Sequence, residues 1–158
     1  MKLNIVAASA LIAGSSLQAQ TVATATLAPP VVDLSTTSPA DGTWVYAAVT
    51  GGSAATFSSA ATQLVVSCAR ASRQVAISRS ASGAAPFILV WTSAQSRNLP
   101  ASYNPATSRL NASVSAFDPL LDAIAFSRGR AGFSAPNQPT LVVPAWAEVA
   151  RVVEDCRA

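Results

Sequence analysis

The sequence predicts a mainly β protein: an antiparallel β-sandwich or small barrel with one short internal helix and a C-terminal amphipathic helix. Three observations lead there. Short β-prone runs recur about every ten residues from Trp44 onward, punctuated by Gly, Pro, Ser and Asn. Several of these runs alternate apolar and polar residues, the pattern of half-buried strands. Helical signals are confined to the stretch after Asp118 and to the last residues.

The chain has 158 residues, enough for one domain. Met1 to Asn4 is a short basic start, Ile5 to Leu17 is apolar or small, and Leu17-Gln18-Ala19 offers a cleavage site. Residues 1–19 therefore read as a secretory signal peptide, with a core too short for a resident membrane helix. Residues 20–42 are rich in Thr, Ala and Pro and read as a flexible tether, with a single β-rich domain over 43–158. No later run is long and apolar enough to predict a stable membrane span.

Within that domain, Trp44 to Val49 is the first expected strand, ended by Gly51-Gly52. A weaker one covers Ala54 to Ser58. Leu64 to Cys68 and Gln74 to Ser78 are expected to pair across 69–73, with Leu64, Val66 and Cys68 on one face and Val75 and Ile77 facing in. Phe87 to Trp91 is continuously apolar and predicts a central strand buried on both faces. Weaker strands are expected at Leu110 to Val114, Arg130 to Ser134 and Pro139 to Val143. The internal helix takes Asp118 as N-cap and Pro119 at its first position, burying Leu120, Leu121 and Ile124. The last helix is expected from Pro144 to Arg157, with Trp146, Val149, Val153 and Cys156 on its buried face.

The chain has 34 Ala, while Leu, Ile, Val and Phe together number 38, so the core is built from few large side chains. A covalent staple would help it, and Cys68 and Cys156 are the only cysteines. The strand places one sulfur and the helix the other on core-facing sides. An exported chain meets an oxidising compartment, so a disulfide is expected. The other reading is two buried thiols or one reactive thiol, which would lack His and Lys as activators in the mature chain.

The absences restrict chemistry. With no His, there is no Ser-His-Asp triad, no Cys-His pair and no imidazole ligand or base. The lone Lys, Lys2, lies in the leader, which excludes a Ser-Lys dyad from the mature chain. No Gly-x-Ser-x-Gly elbow, phosphate loop or metal-ligand spacing occurs. No cofactor is expected. Net charge is +3 and pI about 9.4, from too few cations for a nucleic-acid stripe. Paired carboxylates are the only acid–base option: Asp118 and Asp122 lie one helical turn apart, and Glu148, Glu154 and Asp155 lie on the last helix; a cap at Asp118 and solvated helix positions for the others explain them better, and no catalytic residue is expected. Arg128 and Arg130 would share a strand face and form an anion or partner contact, or guard an edge strand. Trp91 reads as core packing ahead of a stacking platform.

The order of features is a Trp at the domain start, a strand ending in LVVSC, an apolar Trp strand, a short helix within FDPLLDAIAFSRGR and a last helix ending in VVEDC. This resembles the small exported accessory domains of type VI secretion, the VasI type, in which a strand Cys and a C-terminal helix Cys recur. Invasion-associated locus B-like periplasmic proteins share a looser version. The resemblance implies a non-enzymatic accessory or interaction domain, periplasmic or secreted, whose partner is another envelope protein. Ser80 to Ala85 also resembles the SASGA stretch of periplasmic C-type lysozyme inhibitors, although Pro86 stands where that family continues to Tyr. An inhibitor is therefore the alternative, and a carboxylate-dependent hydrolase a lesser one.

Overall fold

A computed structural model describes residues 33, 36–60 and 62–158. The expected leader at 1–19 and tether residues 20–32 lie outside the described residues. The fold is two antiparallel sheets and two helices, with no closed barrel.

Strands β1 (Thr43–Val49), β2 (Gly52–Ser58), β3 (Gln63–Ala69) and β4 (Gln74–Ser80) form a meander. The chain then crosses to a second sheet for β5 (Phe87–Trp91) and β6 (Ser96–Pro100). It returns through β7 (Ser102–Asn104) to β8 (Arg109–Ser115), which pairs with β4. Helix α1 (Pro119–Ala125) leads back to β9 (Arg130–Ser134) and β10 (Leu141–Pro144), and α2 (Ala147–Arg157) ends the chain. The strand orders are β1-β2-β3-β4-β8-β7 and β10-β9-β5-β6.

Strand register explains the core. On the inner face of the six-stranded sheet, Trp44, Phe57, Leu64, Arg79, Leu110 and Tyr103 line up across neighbouring strands. A parallel row holds Tyr46, Ala55, Val66, Ile77 and Ala112, and a third holds Ala48, Ser53, Cys68, Val75 and Val114. The opposite face carries Thr56, Gln63, Ser67, Gln74, Ser78, Asn111 and Ser113, with Val45, Val49 and Val65 among them, so the sheet's period of two sorts most apolar from most polar side chains.

Two covers share that inner face. Near the first row lies the second sheet: Trp44 Nε1 donates to the Pro144 carbonyl at 2.9 Å, and Arg79 reaches β9. Over the third row lies α2, packed on β1, β2, β3 and α1 through Val149, Val152, Val153 and Cys156. Cys68 and Cys156 are joined as a disulfide with Cα atoms 5.5 Å apart. Tyr46 donates its hydroxyl to Asp155 on α2 at 2.7 Å, and Arg151 stacks 4.0 Å from the Tyr46 ring centroid. Gly52 stands where a Cβ would come within 1.9 Å of the Cys68 carbonyl oxygen, so this close approach requires glycine.

The structure departs from several expectations. Two polar strands, β6 (SRNLP) and β7 (SYN), were not anticipated because they lie on sheet edges and bury one face at most. The final helix starts at Ala147, not Pro144. Pro144 instead ends β10 opposite Arg130, and Trp146 is the N-cap residue, 43% exposed and off the buried face. Strand β5 is interior to its sheet, but only Ile88, Val90 and Trp91 are buried; Phe87 and Leu89 stay half-exposed. Trp91 is 6% exposed, which makes it a packed side chain. Ala40, within the segment expected to be a tether, lies against β10, its amide donating to the Val142 carbonyl at 2.8 Å.

Candidate functional site

Among the described residues the carboxylates of α1 are already held. Asp118 caps the helix by accepting from the Leu120 amide at 2.9 Å and pairs with Arg97 at 2.7 Å. Asp122 takes a two-pronged contact from Arg157, at 2.8 and 3.0 Å. The two aspartates thus face different elements, β6 and α2, and each is paired with an arginine. No group of three or more His, Cys, Asp or Glu placed to hold a metal occurs among the described residues.

Burial works to raise the pKa of Asp118, but the Arg97 hydrogen bond, the Leu120 amide and the Arg97 charge together hold it below its ordinary value. The Tyr46 hydroxyl leads the groups that hold Asp155 low. A carboxylate with a depressed folded pKa contributes stability above its unfolded pKa and loses it as pH falls through the folded value. Stability is therefore expected to drop as pH falls below about 4. Asp118→Asn keeps the cap but removes the titration, so a series of urea midpoints should show a shallower acid limb. An unchanged acid limb would refute this account.

Arg128 and Arg130 are not brought together on one strand face. Gly129 sits at φ +75°, strand β9 begins only at Arg130, and Arg128 lies in the preceding bend. Arg128 is exposed and its amide donates to Ser93 Oγ, while the Arg130 guanidinium donates to the Thr37 carbonyl. Arg130 thus ties the segment before β1 to the second sheet.

The arginine with unusual surroundings is Arg79. It is 1% exposed and occupies an apolar row between Leu64 and Leu110. Its Nη1 donates to the Phe133 carbonyl at 2.8 Å, Nη2 to the Pro139 carbonyl at 2.7 Å and Nε more weakly to the Ser80 carbonyl at 3.4 Å. Among the described residues no carboxylate pairs with it. Burial pushes its pKa down, yet a guanidinium remains cationic at neutral pH.

Ser80 and Pro139, whose carbonyls bind Arg79, both line a cleft of about 380 Å³, so the guanidinium lies at its wall. The other lining residues are Thr62, Ala81, Ser82, Thr107, Ser108 and Gln138, with Arg79 the sole charge. Three loops build it together with Thr62 from the β2–β3 connection: the one after β4, the β7–β8 turn and the β9–β10 turn. They are bonded together, since Ala81 donates to the Ser108 carbonyl at 3.0 Å and Ser82 donates from its amide and its hydroxyl to Gln138 Oε1 at 3.0 and 3.3 Å. Ser108 and Asn137 hold left-handed conformations at φ 51° and 59°, which fixes both turns at a cost of about 1 kcal/mol each. Ser80, Ala81 and Ser82, the first half of the Ser80 to Ala85 stretch, therefore form a wall of this cleft.

Arg79 was absent from the sequence-derived candidates, although a signal existed. The inward alternation Val75, Ile77 continues to position 79, where a charge replaces the apolar residue that the pattern calls for. No protein family, no curated protein and no solved structure matches this chain.

Proposed function

We propose that the protein is an exported, non-enzymatic accessory domain of the bacterial envelope that acts by binding, and that its binding site is the cleft beside Arg79. One observation carries this reading: a cation is buried at the cleft wall without a counter-charge among the described residues. Burying a charge costs several kcal/mol, roughly, unless it is paired, and an apolar side chain would fit the same row. Retention of the side chain makes sense if its bonds to the Ser80, Phe133 and Pro139 carbonyls hold the cleft wall in the shape that a partner meets. The cleft is also framed by loops fixed on a rigid sandwich, the usual location of a binding site.

The compartment rests on other support. The Cys68–Cys156 disulfide suits an oxidising environment, the first nineteen residues read as an export signal, and the resemblance to VasI-type domains points to the envelope. Among the described residues no helix is long and apolar enough to cross a membrane. The partner proposed is another envelope component.

The test is site-specific photocrosslinking in intact cells. A photoreactive residue at Ser82, on the cleft, should capture a defined partner; one at Ser113, exposed on the outer face of β8, should not. Equal capture from both positions, or none from Ser82, overturns the assignment. Inhibition of a lysozyme by micromolar protein would replace it with the inhibitor reading.

A further inference from the structure

We propose that strand β1 is a docking edge for a second copy of this chain, the two copies joining by antiparallel β1–β1 pairing about a two-fold axis at Ala47. This surface is separate from the cleft, and the two stand or fall independently.

A sheet edge invites pairing unless something blunts it, and three of the four edges of the two sheets are blunted. Strand β10 is covered by the segment before β1, whose Ala40 amide bonds the Val142 carbonyl, and it ends in Pro144. Strand β6 carries Arg97 and ends in Pro100. Strand β7 has only three residues. Strand β1 has seven (TWVYAAV), with no charge, no proline and no break in its register with β2.

Register identifies the free groups on that edge. In an antiparallel pair, residues alternate between those that exchange both main-chain bonds with the neighbour and those that point away from it. The Ser59 amide donates to the Thr62 carbonyl where β2 turns into β3, so Phe57, Ala55 and Ser53 bond β3. The alternate residues Thr56, Ala54 and Gly52 then bond β1, through Val45, Ala47 and Val49. The main-chain N–H and C=O groups of Tyr46 and Ala48 therefore point outward, and no hydrogen bond among the described residues takes them.

The side chains suit a second copy in this register. Tyr46 stands opposite Ala48 of the second copy, a large residue against a small one, and the pair exchanges both main-chain bonds. On the outer face Ala47 meets Ala47 of the second copy, and Val45 meets Val49 of the second copy. Val45 is 61% exposed and Val49 47%, on a face that is otherwise mostly polar, and this pairing covers both. Charge favours the antiparallel direction. Asp41 lies just before β1, and Arg70, whose amide bonds the Gly51 carbonyl, lies by its far end; both are exposed. An antiparallel copy brings each aspartate toward the other copy's arginine, whereas a parallel one sets like charges together. The two-fold arrangement also uses up both open edges, so the assembly closes at two copies.

A contact confined to one strand is small, so a dissociation constant on the order of 100 µM is expected. The protein, disulfide intact, is followed by sedimentation from about 1 µM to about 500 µM, and by NMR amide exchange at about 50 and 500 µM. It should pass from monomer to dimer. Exchange at Tyr46 and Ala48 should slow about twofold or more over the NMR range, while Val45, Ala47 and Val49, already bonded to β2, stay equally slow. Val45→Lys puts a charge where two valines meet, and Ala48→Pro removes an outward N–H without touching a bond to β2. Each should weaken the dimer at least about tenfold. A monomer at all concentrations overturns the proposal, as does a dimer in which the Tyr46 and Ala48 amides stay fast. Protection of those two amides that does not change with concentration also overturns it, because the chain's own residues would then cover β1. So does undiminished dimerisation of either variant.

Discussion

Replacing Cys68 and Cys156 together by alanine is expected to lower the unfolding free energy by about 4.5 kcal/mol. The disulfide spans a sequence separation of 88, and the loop-closure entropy of a chain segment that long gives this figure. Typical domains are stable by only about 5–15 kcal/mol, so the double variant should sit near the edge of folding at room temperature. The location of the bond sharpens the expectation. It anchors α2, the last element, to β3, an interior strand of the six-stranded sheet. Without it, α2 would keep the burial of Val149, Val152 and Val153, the contacts of Tyr46 with Asp155 and Arg151, and the bonds of Arg157 to Asp122 and the Ala116 carbonyl. Chemical denaturation measures the global loss, and hydrogen exchange should show the α2 amides opening first. A loss below about 1 kcal/mol would mean that α2 packing alone holds the structure.

The second large effect is expected at Arg79, and it depends on the replacement. Arg79→Ala leaves the Phe133 and Pro139 carbonyls without their donor and a void between Leu64 and Leu110. Unsatisfied buried acceptors cost about 1–3 kcal/mol each and the void adds to that, so a loss of about 3–5 kcal/mol is expected. Arg79→Met removes the same charge and hydrogen bonds but fills most of the space, so its loss should be clearly smaller. The contrast between the two separates the cost of the void from the cost of the lost hydrogen bonds. Equal losses in both would mean that the hydrogen bonds to the two carbonyls dominate. A destabilisation by Arg79→Ala of under about 1 kcal/mol would refute the packing described here.

Much of this fold can be read along the chain. The alternation in β3 and β4 placed Leu64, Val66, Cys68, Val75 and Ile77 on the face that the structure buries. Asp118-Pro119 marked the start of α1, and Leu120, Leu121 and Ile124 are its buried residues. The same logic put both cysteines against one core. It failed where local pattern and tertiary setting part company. Pro144 looked like a helix start because proline suits a first turn, but the pairing with Arg130 claims it for an edge strand. Arg128 and Arg130 looked like neighbours on a strand because a spacing of two assumes extended backbone, which Gly129 interrupts. Ser96–Pro100 and Ser102–Asn104 carry too few apolar residues to announce strands that lie on edges.

The sequence by itself determined the β-rich class, the buried face of each central strand, the internal helix and the cysteine pair, because these follow from periodicity and capping within a few neighbouring residues. Only the tertiary structure decided that β8 pairs with β4, that the second sheet and α2 divide the inner face, and that a cleft exists. Periodicity tells which way a side chain points but not which strand lies beside it. The cleft brings Thr62, Arg79–Ser82, Thr107–Ser108 and Gln138–Pro139 together from distant parts of the chain. Those loops meet only once the two sheets have packed, and Arg79, an anomaly in an alternating strand, becomes a charged site only when carbonyls from Phe133 and Pro139 close around it.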